Sequence, residues 1–289
     1  METLLASHGM RFSSANSINW GRLLPQIVYY FSAYCDIMSS GEMDYQGEKV
    51  NIVVPTGNFG NILAAYYAGK MGLPINRLIC ASNSNNVLTD FLRTGVYDRN
   101  RSFYTTISPS MDILISSNLE RLLYDLCGCD DGKVRAWMEQ LRATGKYAVD
   151  RQVKDRLDQL FYGGWATEDE TAAAIREMYE TEGYLCDPHT AVGVSVYRKY
   201  CQETGDTITP AILVSTASPY KFAGPVLQAL TGEEINGGDF DKVDALSAAT
   251  GVPVPAPIAD LRYKEIRFQN VCTQSDMPQA VLKMLGIRP

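Results

Sequence analysis

The stretch Val53-Val54-Pro55-Thr56-Gly57-Asn58-Phe59-Gly60-Asn61-Ile62 decides how the rest of the chain is interpreted. An apolar run ends here in a turn with two glycines three residues apart, and apolar residues at helical spacing follow. We expect a strand, a tight loop and a helix, which leave backbone N–H groups unpaired at the helix start, next to the positive end of the helix dipole. Such a junction suits a phosphate, although the two glycines also fit an ordinary turn.

The composition is that of a globular protein and predicts neither a nucleic-acid nor a membrane partner. The chain has 289 residues, enough for one large or two modest domains, with 46% hydrophobic and 20% charged residues. Its formal charge of −7 provides no net positive field to attract phosphate backbones or anionic membranes. No apolar run reaches the roughly 18 residues that a membrane span needs.

The cysteines predict a cytoplasmic location. There are seven, an odd number, and they are scattered without a CxxC pair. The N-terminus also lacks the pattern of a signal peptide, so we expect free thiols in a reducing compartment. The pair Cys127 and Cys129 resembles a redox or metal pair, but only two histidines are present to complete a metal site, and we predict none.

Three continuous apolar runs, at residues 52–54, 78–81 and 211–214, predict parallel strands covered on both faces. The fold class expected is α/β, with an open, mostly parallel sheet flanked by helices. Polar loops follow the three runs, and we expect these loops to gather at the carboxyl edge of the sheet, where such folds bind ligands.

The middle of the chain has a different pattern and predicts an α-helical insertion. Helical spacing extends over residues 111–126, 133–142, 151–160, 167–182 and 190–201. Thr167 and Glu170 form a predicted capping box at the start of one of these helices. We therefore expect three parts: residues 1–110 with the glycine loop, residues 111–205 as the helical elaboration, and residues 206–289 with a closing strand, a helix and a tail.

A second polar loop stands before the first long helical pattern, in the sequence Ser13-Ser14-Ala15-Asn16-Ser17-Ile18-Asn19-Trp20-Gly21-Arg22. Asn19 can cap the helix, and the loop would place Asn16, Ser17, Asn19 and Arg22 around its entrance. Capping chemistry and a solvated arginine explain the same pattern.

Six blocks of sequence together resemble threonine synthase, a pyridoxal-phosphate enzyme of the tryptophan-synthase-β fold type (fold type II). They are SANSINWGR, VVPTGNFGN, CASNSNN, SPSMDILISSNLERLL, DPHTAVG and STASPYKF, and they extend from about Ser13 to about Leu230. The resemblance implies that the backbone of Gly57, Asn58, Phe59, Gly60 and Asn61 cradles the phosphate of pyridoxal 5′-phosphate. It also implies that the hydroxyl of Thr216 meets the pyridine nitrogen.

The resemblance further implies a site for the substrate O-phosphohomoserine. Ser17 and Arg22 match the positions that bind its phosphate, for which the arginine fork is well shaped. Asn16 and Asn19 are expected to help by hydrogen bonding. We interpret His189 as a capping and packing residue and leave open whether it or Lys221 contacts the substrate.

The chain departs from the family in one important respect. The lysine that holds the cofactor covalently lies in a His-Gly-Pro-Thr-x-x-Phe-Lys-Asp pattern well upstream of SANSIN, and none of the ten lysines here has that setting. We therefore predict no catalytic residue in this chain, which resembles only the C-terminal three-fifths of the enzyme. The expectation is a truncated threonine synthase that is inactive alone and that is completed by an N-terminal chain or forms a homodimer.

Other functions remain open. One is a non-catalytic or complementing half of a split pyridoxal-phosphate enzyme, and another is a different fold-type-II enzyme such as threonine dehydratase or cysteine synthase, which would not need Ser17 and Arg22 for a second phosphate. A dinucleotide-binding enzyme is disfavoured because the loop lacks GxGxxG and because Ser82 and Asn83 stand where an acidic ribose partner is expected.

Overall fold

The computed structural model describes residues 1–41, 43, 47–234 and 236–287. The chain folds into two compact units. One contains Ala15–Val254, with the sheet and the predicted site, and the other contains Met1–Ser14 together with the described residues from Pro255 onward. This division falls at other positions than the three-part division expected from the sequence, which stays a prediction.

Six strands occur among the described residues. They are β1 (Val50–Pro55), β2 (Ile75–Ser82), β3 (Val96–Asp98), β4 (Lys146–Ala148), β5 (Phe161–Trp165) and β6 (Ala211–Leu213). Four of them form a parallel sheet in the order β5-β2-β1-β6, and β3 pairs with β4 in a separate antiparallel ladder. This confirms the predicted α/β fold with an open, parallel sheet.

The helices of the described residues belong partly to the unit that contains the sheet and partly to the second unit. They are α1 (Glu2–Ser7), α2 (Trp20–Leu23), α3 (Gln26–Ser40), α4 (Gly60–Lys70), α5 (Val87–Thr94), α6 (Leu119–Leu126), α7 (Asp131–Thr144), α8 (Arg151–Leu160), α9 (Glu168–Glu182), α10 (Pro188–Thr204), α11 (Ala223–Thr231), α12 (Asp239–Thr250), α13 (Ala256–Ala259) and α14 (Met277–Met284). Short 3₁₀ helices occur at Pro109–Met111, Pro219–Phe222, Asp260–Tyr263 and Gln274–Asp276.

Alternation along the strands explains why both faces of the sheet are covered. Ile52 and Val54 of β1 point into a large core shared with α3 to α8, whereas Val53 between them packs in a separate core with Val192 and Val196 of α10. All three strand residues are fully buried. A strand buried on both faces has apolar residues at successive positions, and this pattern allowed β1 to be predicted correctly.

Two details of the helices follow from local chemistry. Asn19 accepts a hydrogen bond from the N–H of Gly21 and caps α2, and Pro25 then separates α2 from α3, because proline cannot continue the hydrogen-bond ladder. The capping box of Thr167 and Glu170 is present at the start of α9, as predicted.

Parts of the secondary-structure prediction were wrong. Residues 112–118 are not helical, and within the predicted 111–126 helix only α6 is an α-helix. The predicted helical part, residues 111–205, also supplies two strands, β4 and β5, and β5 forms an edge of the main sheet.

The second unit has a small core of its own, in which Leu5 packs with Leu282 and Ile287. Across the described residues of both units, none of the helices combines the length and the apolar character needed to cross a membrane.

Candidate functional site

The glycine loop, residues 57–61, connects the carboxyl end of β1 to the start of α4. Strand β1 pairs in parallel with β2 on one side and with β6 on the other, so all three strands end at the same edge of the sheet. Val53 is paired with Leu213, the last residue of β6, and Thr216 follows three residues later. The glycine loop and the loop that contains Thr216 therefore both leave the sheet at its carboxyl edge.

The carbonyl groups of the glycine loop are bound from one side by residues 108–118, which we call the clamp segment. The Ser116 hydroxyl donates to the Gly57 carbonyl at 2.9 Å. The backbone N–H and the side-chain Nδ2 of Asn118 both donate to the Asn58 carbonyl, at 3.1 and 2.9 Å. The clamp segment thus binds the carbonyl groups of Gly57 and Asn58 and, within the described residues, makes no hydrogen bond to the N–H groups of the loop.

The donors of the loop are its backbone N–H groups. In the part of the chain that the structure describes, the N–H groups of residues 57–62 donate to no acceptor. A trans peptide holds its C=O and N–H in opposite directions, so the carbonyls of Gly57 and Asn58 direct the next two N–H groups away from the clamp segment. Phe59 adopts a left-handed conformation with φ of 60°, which reverses the chain immediately before α4.

Neighbouring atoms leave no room for a side chain at Gly57 and little room at Gly60. A Cβ on Gly57 would lie 2.5 Å from the Ser110 carbonyl oxygen, a distance that no side chain tolerates. A Cβ on Gly60 would lie 3.3 Å from Nδ2 of Asn118 and 3.7 Å from the Ser17 carbonyl oxygen. The absence of side chains at these positions lets the loop pack closely on the clamp segment, and the amides next to the start of α4, which have no acceptor among the described residues, fit the phosphate of pyridoxal 5′-phosphate.

The last residue of the loop is fixed from the opposite side. The Tyr30 hydroxyl donates to the backbone carbonyl of Asn61 at 2.9 Å and to its side-chain carbonyl. Tyr30 is buried, and burial raises the pKa of its phenol, which keeps it protonated as a donor.

Asn118 connects the two predicted phosphate-binding loops. Its Nδ2 donates to the carbonyl of Ser17 at 3.0 Å as well as to that of Asn58, and its side chain is fully buried. Arg121 donates to Oδ1 of Asn118 and, at 2.7 Å, to the carbonyl of Ile18. The structure thus brings Ser17 and the glycine loop together through Asn118, a residue that the sequence analysis did not single out.

The SANSIN residues satisfy much of their hydrogen bonding locally. Asn16 Oδ1 accepts from the N–H of Ile18 at 3.1 Å, and Asn19 Oδ1 accepts from the N–H of Gly21 at 2.8 Å. Arg22 is exposed and donates from Nη1 to the carbonyl of Ala15 at 2.7 Å. These contacts are those of an ordinary helix entrance, and the role of the four residues in binding a substrate phosphate stays a prediction.

A buried polar network holds the clamp segment in place. Asp112 Oδ1 accepts from the amides of Asn83 and Asn85, at 2.8 and 2.9 Å, and from the Thr106 hydroxyl at 2.7 Å. Its other oxygen accepts from the N–H of Thr106 at 2.9 Å. This network explains the polar residues after β2: they bind the clamp segment.

The remaining residues of interest lie around the other loop of the sheet edge. Thr216 is exposed, and the neighbouring Ser215 lies within hydrogen-bonding distance of Tyr184 and Thr190. His189 is buried and packs its ring on Phe222 at a centroid distance of 4.9 Å, in agreement with a capping and packing role. Lys221 is exposed and lies over the ring of Phe222.

These features define a class: an α/β protein with a glycine loop at the carboxyl edge of a parallel sheet, whose fold is that of the fold-type-II pyridoxal-phosphate enzymes. A family model described as threonine synthase, C-terminal, matches residues 190–281. Threonine synthase-like 1 of Macaca fascicularis is 45% identical over 251 residues, which cover 86% of this chain and 33% of that protein. Threonine synthase of Saccharomyces cerevisiae is 41% identical over 232 residues, covering 76% and 44%.

A solved structure agrees with these relatives. The PLP-bound threonine synthase from Brucella melitensis has a TM-score of 0.78 and 36% identity, and the match covers 94% of this chain and 52% of that one. The chain belongs to the threonine synthase family and corresponds to the C-terminal part of its members. It spans between a third and about half of the length of these three proteins.

Proposed function

We propose that this chain supplies the cofactor-phosphate site of a threonine synthase, which converts O-phosphohomoserine and water into threonine and phosphate. One observation carries the proposal: the clamp segment binds the carbonyls of Gly57 and Asn58, while the N–H groups of residues 57–62 meet no acceptor in the described chain. Backbone amides without protein acceptors at a helix start are suited to bind an anion.

Each predicted residue has a defined task in this proposal. Pyridoxal 5′-phosphate, when bound, supplies the electron sink for γ-elimination of phosphate and β-addition of water. The amides of Gly57, Asn58, Phe59, Gly60 and Asn61 would hold its phosphate. The hydroxyl of Thr216 would face the pyridine nitrogen as a neutral hydrogen-bonding partner. Ser17 and Arg22, with Asn16 and Asn19, bind the phosphate of O-phosphohomoserine.

The reaction also needs a lysine to move protons on the substrate carbons. None of the ten lysines of this sequence stands in a Phe-Lys-Asp setting, so in this proposal the lysine comes from a polypeptide segment that carries that pattern, such as an N-terminal complement; a homodimer of this chain would not supply it. Seven free cysteines support a cytoplasmic location for this activity.

The local hydrogen bonds of the SANSIN loop favour a second candidate, a fold-type-II lyase whose substrate carries no phosphate, such as threonine dehydratase. In that enzyme Asn16, Asn19 and Arg22 would only shape the helix entrance, and their hydrogen bonds with Ile18, Gly21 and Ala15 support this role. The two candidates share the glycine loop and differ in the substrate.

Two measurements test the proposal. Equilibrium dialysis of the 289-residue chain with pyridoxal 5′-phosphate should show one weak, saturable site that inorganic phosphate competes for. Mixing the chain with an N-terminal polypeptide that carries the Phe-Lys-Asp lysine should then release phosphate from O-phosphohomoserine. Ammonia release from threonine or serine in that mixture would support the second candidate, and the absence of cofactor binding would refute both.

A further inference from the structure

Asp187 and His189 stand at the start of α10 and connect two loops that are distant in sequence. Asp187 is fully buried. Its Oδ1 accepts from Nδ1 of His189 at 2.8 Å and from the His189 backbone N–H at 2.9 Å, and its Oδ2 accepts from the Thr190 hydroxyl. Burial raises the pKa of Asp187, but the hydrogen bonds from His189 and Thr190 outweigh burial and leave the pKa lowered, so the carboxylate stays ionised.

The first connection leads to the glycine loop. With the Nδ1 proton directed to Asp187, Nε2 of His189 is an acceptor, and it receives the backbone N–H of Ser110 at 3.2 Å. The carbonyl oxygen of the same Ser110 occupies the space that a Cβ on Gly57 would need, 2.5 Å away. His189 therefore holds the clamp segment against the back of Gly57.

The second connection leads to the loop that follows β6. The hydroxyls of Thr190 and Ser215 lie 3.3 Å apart, and Ser215 immediately precedes Thr216. One buried carboxylate, Asp187, thus supports both the loop predicted to hold the cofactor phosphate and the residue predicted to meet the pyridine nitrogen.

Helix capping alone does not account for this arrangement. Asp187 caps α10 through the His189 N–H, and any side chain at position 189 would provide that N–H. The imidazole adds a hydrogen bond to a residue 79 positions away, from a ring that is almost fully buried.

We propose that Asp187 and His189 are positioning residues that set the geometry of the phosphate cradle and of the Thr216 loop together. The inference rests on the proposed function of these loops, and it assigns His189 a role through Ser110 without contact with the substrate.

The experiment compares two substitutions of His189 in the 289-residue chain. A glutamine places a carbonyl oxygen near the position of Nε2 and can still accept from Ser110, whereas an asparagine is too short and retains only the donor to Asp187. The loss of one buried hydrogen bond predicts about tenfold weaker binding of pyridoxal 5′-phosphate for His189→Asn, and recovery to within about threefold for His189→Gln. His8→Asn is the matched control, because His8 is the other histidine and is exposed.

The readouts are equilibrium dialysis and ¹⁵N spectra. With two histidines in the chain, the His8→Asn variant leaves a single imidazole, and its nitrogen shifts should show a proton on Nδ1 and none on Nε2. The amide signal of Gly57 should move in His189→Asn and return in His189→Gln, whereas that of Thr216, which is supported through Asp187, Thr190 and Ser215, should keep its position in His189→Asn, with thermal melts confirming that both variants fold.

The outcomes separate this inference from the proposed function. If the unaltered chain binds no cofactor, the proposed function fails, and the amide shifts without ligand still decide whether His189 positions the glycine loop. Equal disturbance of the Gly57 amide by asparagine and glutamine, or a proton on Nε2, overturns the inference.

Discussion

The glycine loop and the SANSIN loop both lead into helices, and both were predicted to bind a phosphate, yet they use their polar groups differently. In the glycine loop, the carbonyls of Gly57 and Asn58 are bound by the clamp segment and the amides face no acceptor within the described residues. In the SANSIN loop, Asn16, Asn19 and Arg22 form hydrogen bonds to their own loop and helix. A polar sequence becomes an anion site when donors are left over after the local backbone has been satisfied.

The largest expected effect is that of Gly57→Ala. The new Cβ would meet the Ser110 carbonyl oxygen at 2.5 Å and the α-carbon of Met111 at 3.4 Å, so the main chain of the loop or the clamp segment must move. We expect binding of pyridoxal 5′-phosphate to weaken by more than about tenfold and stability to fall by about 1–3 kcal/mol, as for an overpacked core. Equilibrium dialysis and urea unfolding measure the two effects.

Gly132→Ala is the control for this prediction, because Gly132 lies in the first turn of α7 and its nearest neighbour is a side-chain oxygen of Asp130 at 3.2 Å. It should leave cofactor binding unchanged. Normal binding by Gly57→Ala would show that the loop is not the cradle.

Next in size is the replacement of Asn118, the side chain that joins the two loops. Asn118→Leu removes the side-chain donor to the carbonyls of Ser17 and Asn58 and places an apolar group beside them; the Asn58 carbonyl keeps the backbone N–H of Asn118, whereas the half-buried Ser17 carbonyl loses this donor. The expected cost is about 1–3 kcal/mol, since a partly buried acceptor loses its partner. Asn100→Leu is the matched control, because Asn100 also donates from Nδ2 to a carbonyl, that of Thr144, but is exposed.

Urea unfolding of both variants gives the comparison. If Asn118→Leu lowers the free energy of unfolding no more than Asn100→Leu does, the hydrogen bonds that connect the two loops do not stabilise the fold. If Asn118→Leu is destabilising and the amide signals of Ser17 do not move, Asn118 acts on the glycine loop alone.

The sequence was most informative where local pattern and tertiary packing agree. The apolar runs of β1, β2 and β6 identified the parallel sheet, because strands buried on both faces have no polar alternation. Strand β5 was missed because its sequence, Phe-Tyr-Gly-Gly-Trp, resembles a turn. The structure explains its glycines: a Cβ on Gly163 would meet Thr89 and Leu92 of α5 at 3.1–3.2 Å, and a Cβ on Gly164 would meet Val196 of α10 at 2.6 Å.

The clamp segment was misjudged for a related reason. Its apolar residues follow helical spacing, but Asp112 binds Asn83, Asn85 and Thr106, and these contacts favour an irregular backbone. The glycine loop could be predicted because its signal is local. The role of Asn118 could not, since it depends on carbonyls 60 and 101 residues away in the chain.

A smaller effect is expected at the amino edge of the sheet, opposite the site. Asp206 accepts hydrogen bonds from Asn51, Thr209 and Tyr200 there. Burial raises its pKa, but these hydrogen bonds outweigh burial and lower the pKa from 3.8 to about 2. Because the folded-state pKa lies below the unfolded one, ionised Asp206 stabilises the fold above pH 3.8, and this contribution is lost as the pH falls toward about 2.

Asp206→Asn should therefore flatten the loss of thermal stability between these pH values and leave cofactor binding at neutral pH unchanged. Asp131→Asn, at an exposed carboxylate paired only with Arg135 in the described chain, should not alter the acid limb of the stability curve. A loss of cofactor binding in Asp206→Asn would show that the two edges of the sheet are not independent.

The smallest effect is expected for Arg22→Ala. Arg22 is exposed and donates to the carbonyl of Ala15, so its removal should change stability by less than about 0.5 kcal/mol, as for most surface substitutions. Binding of pyridoxal 5′-phosphate should stay within twofold, because the glycine loop supplies its own donors. In the reconstituted enzyme the same substitution should raise KM for O-phosphohomoserine, since the proposed contact of Arg22 with the substrate phosphate would be lost. Arg135→Ala, on the exposed face of α7, serves as the control. A change in cofactor binding as large as that of Gly57→Ala would mean that Arg22 belongs to the first phosphate site and that the two loops form a single cradle.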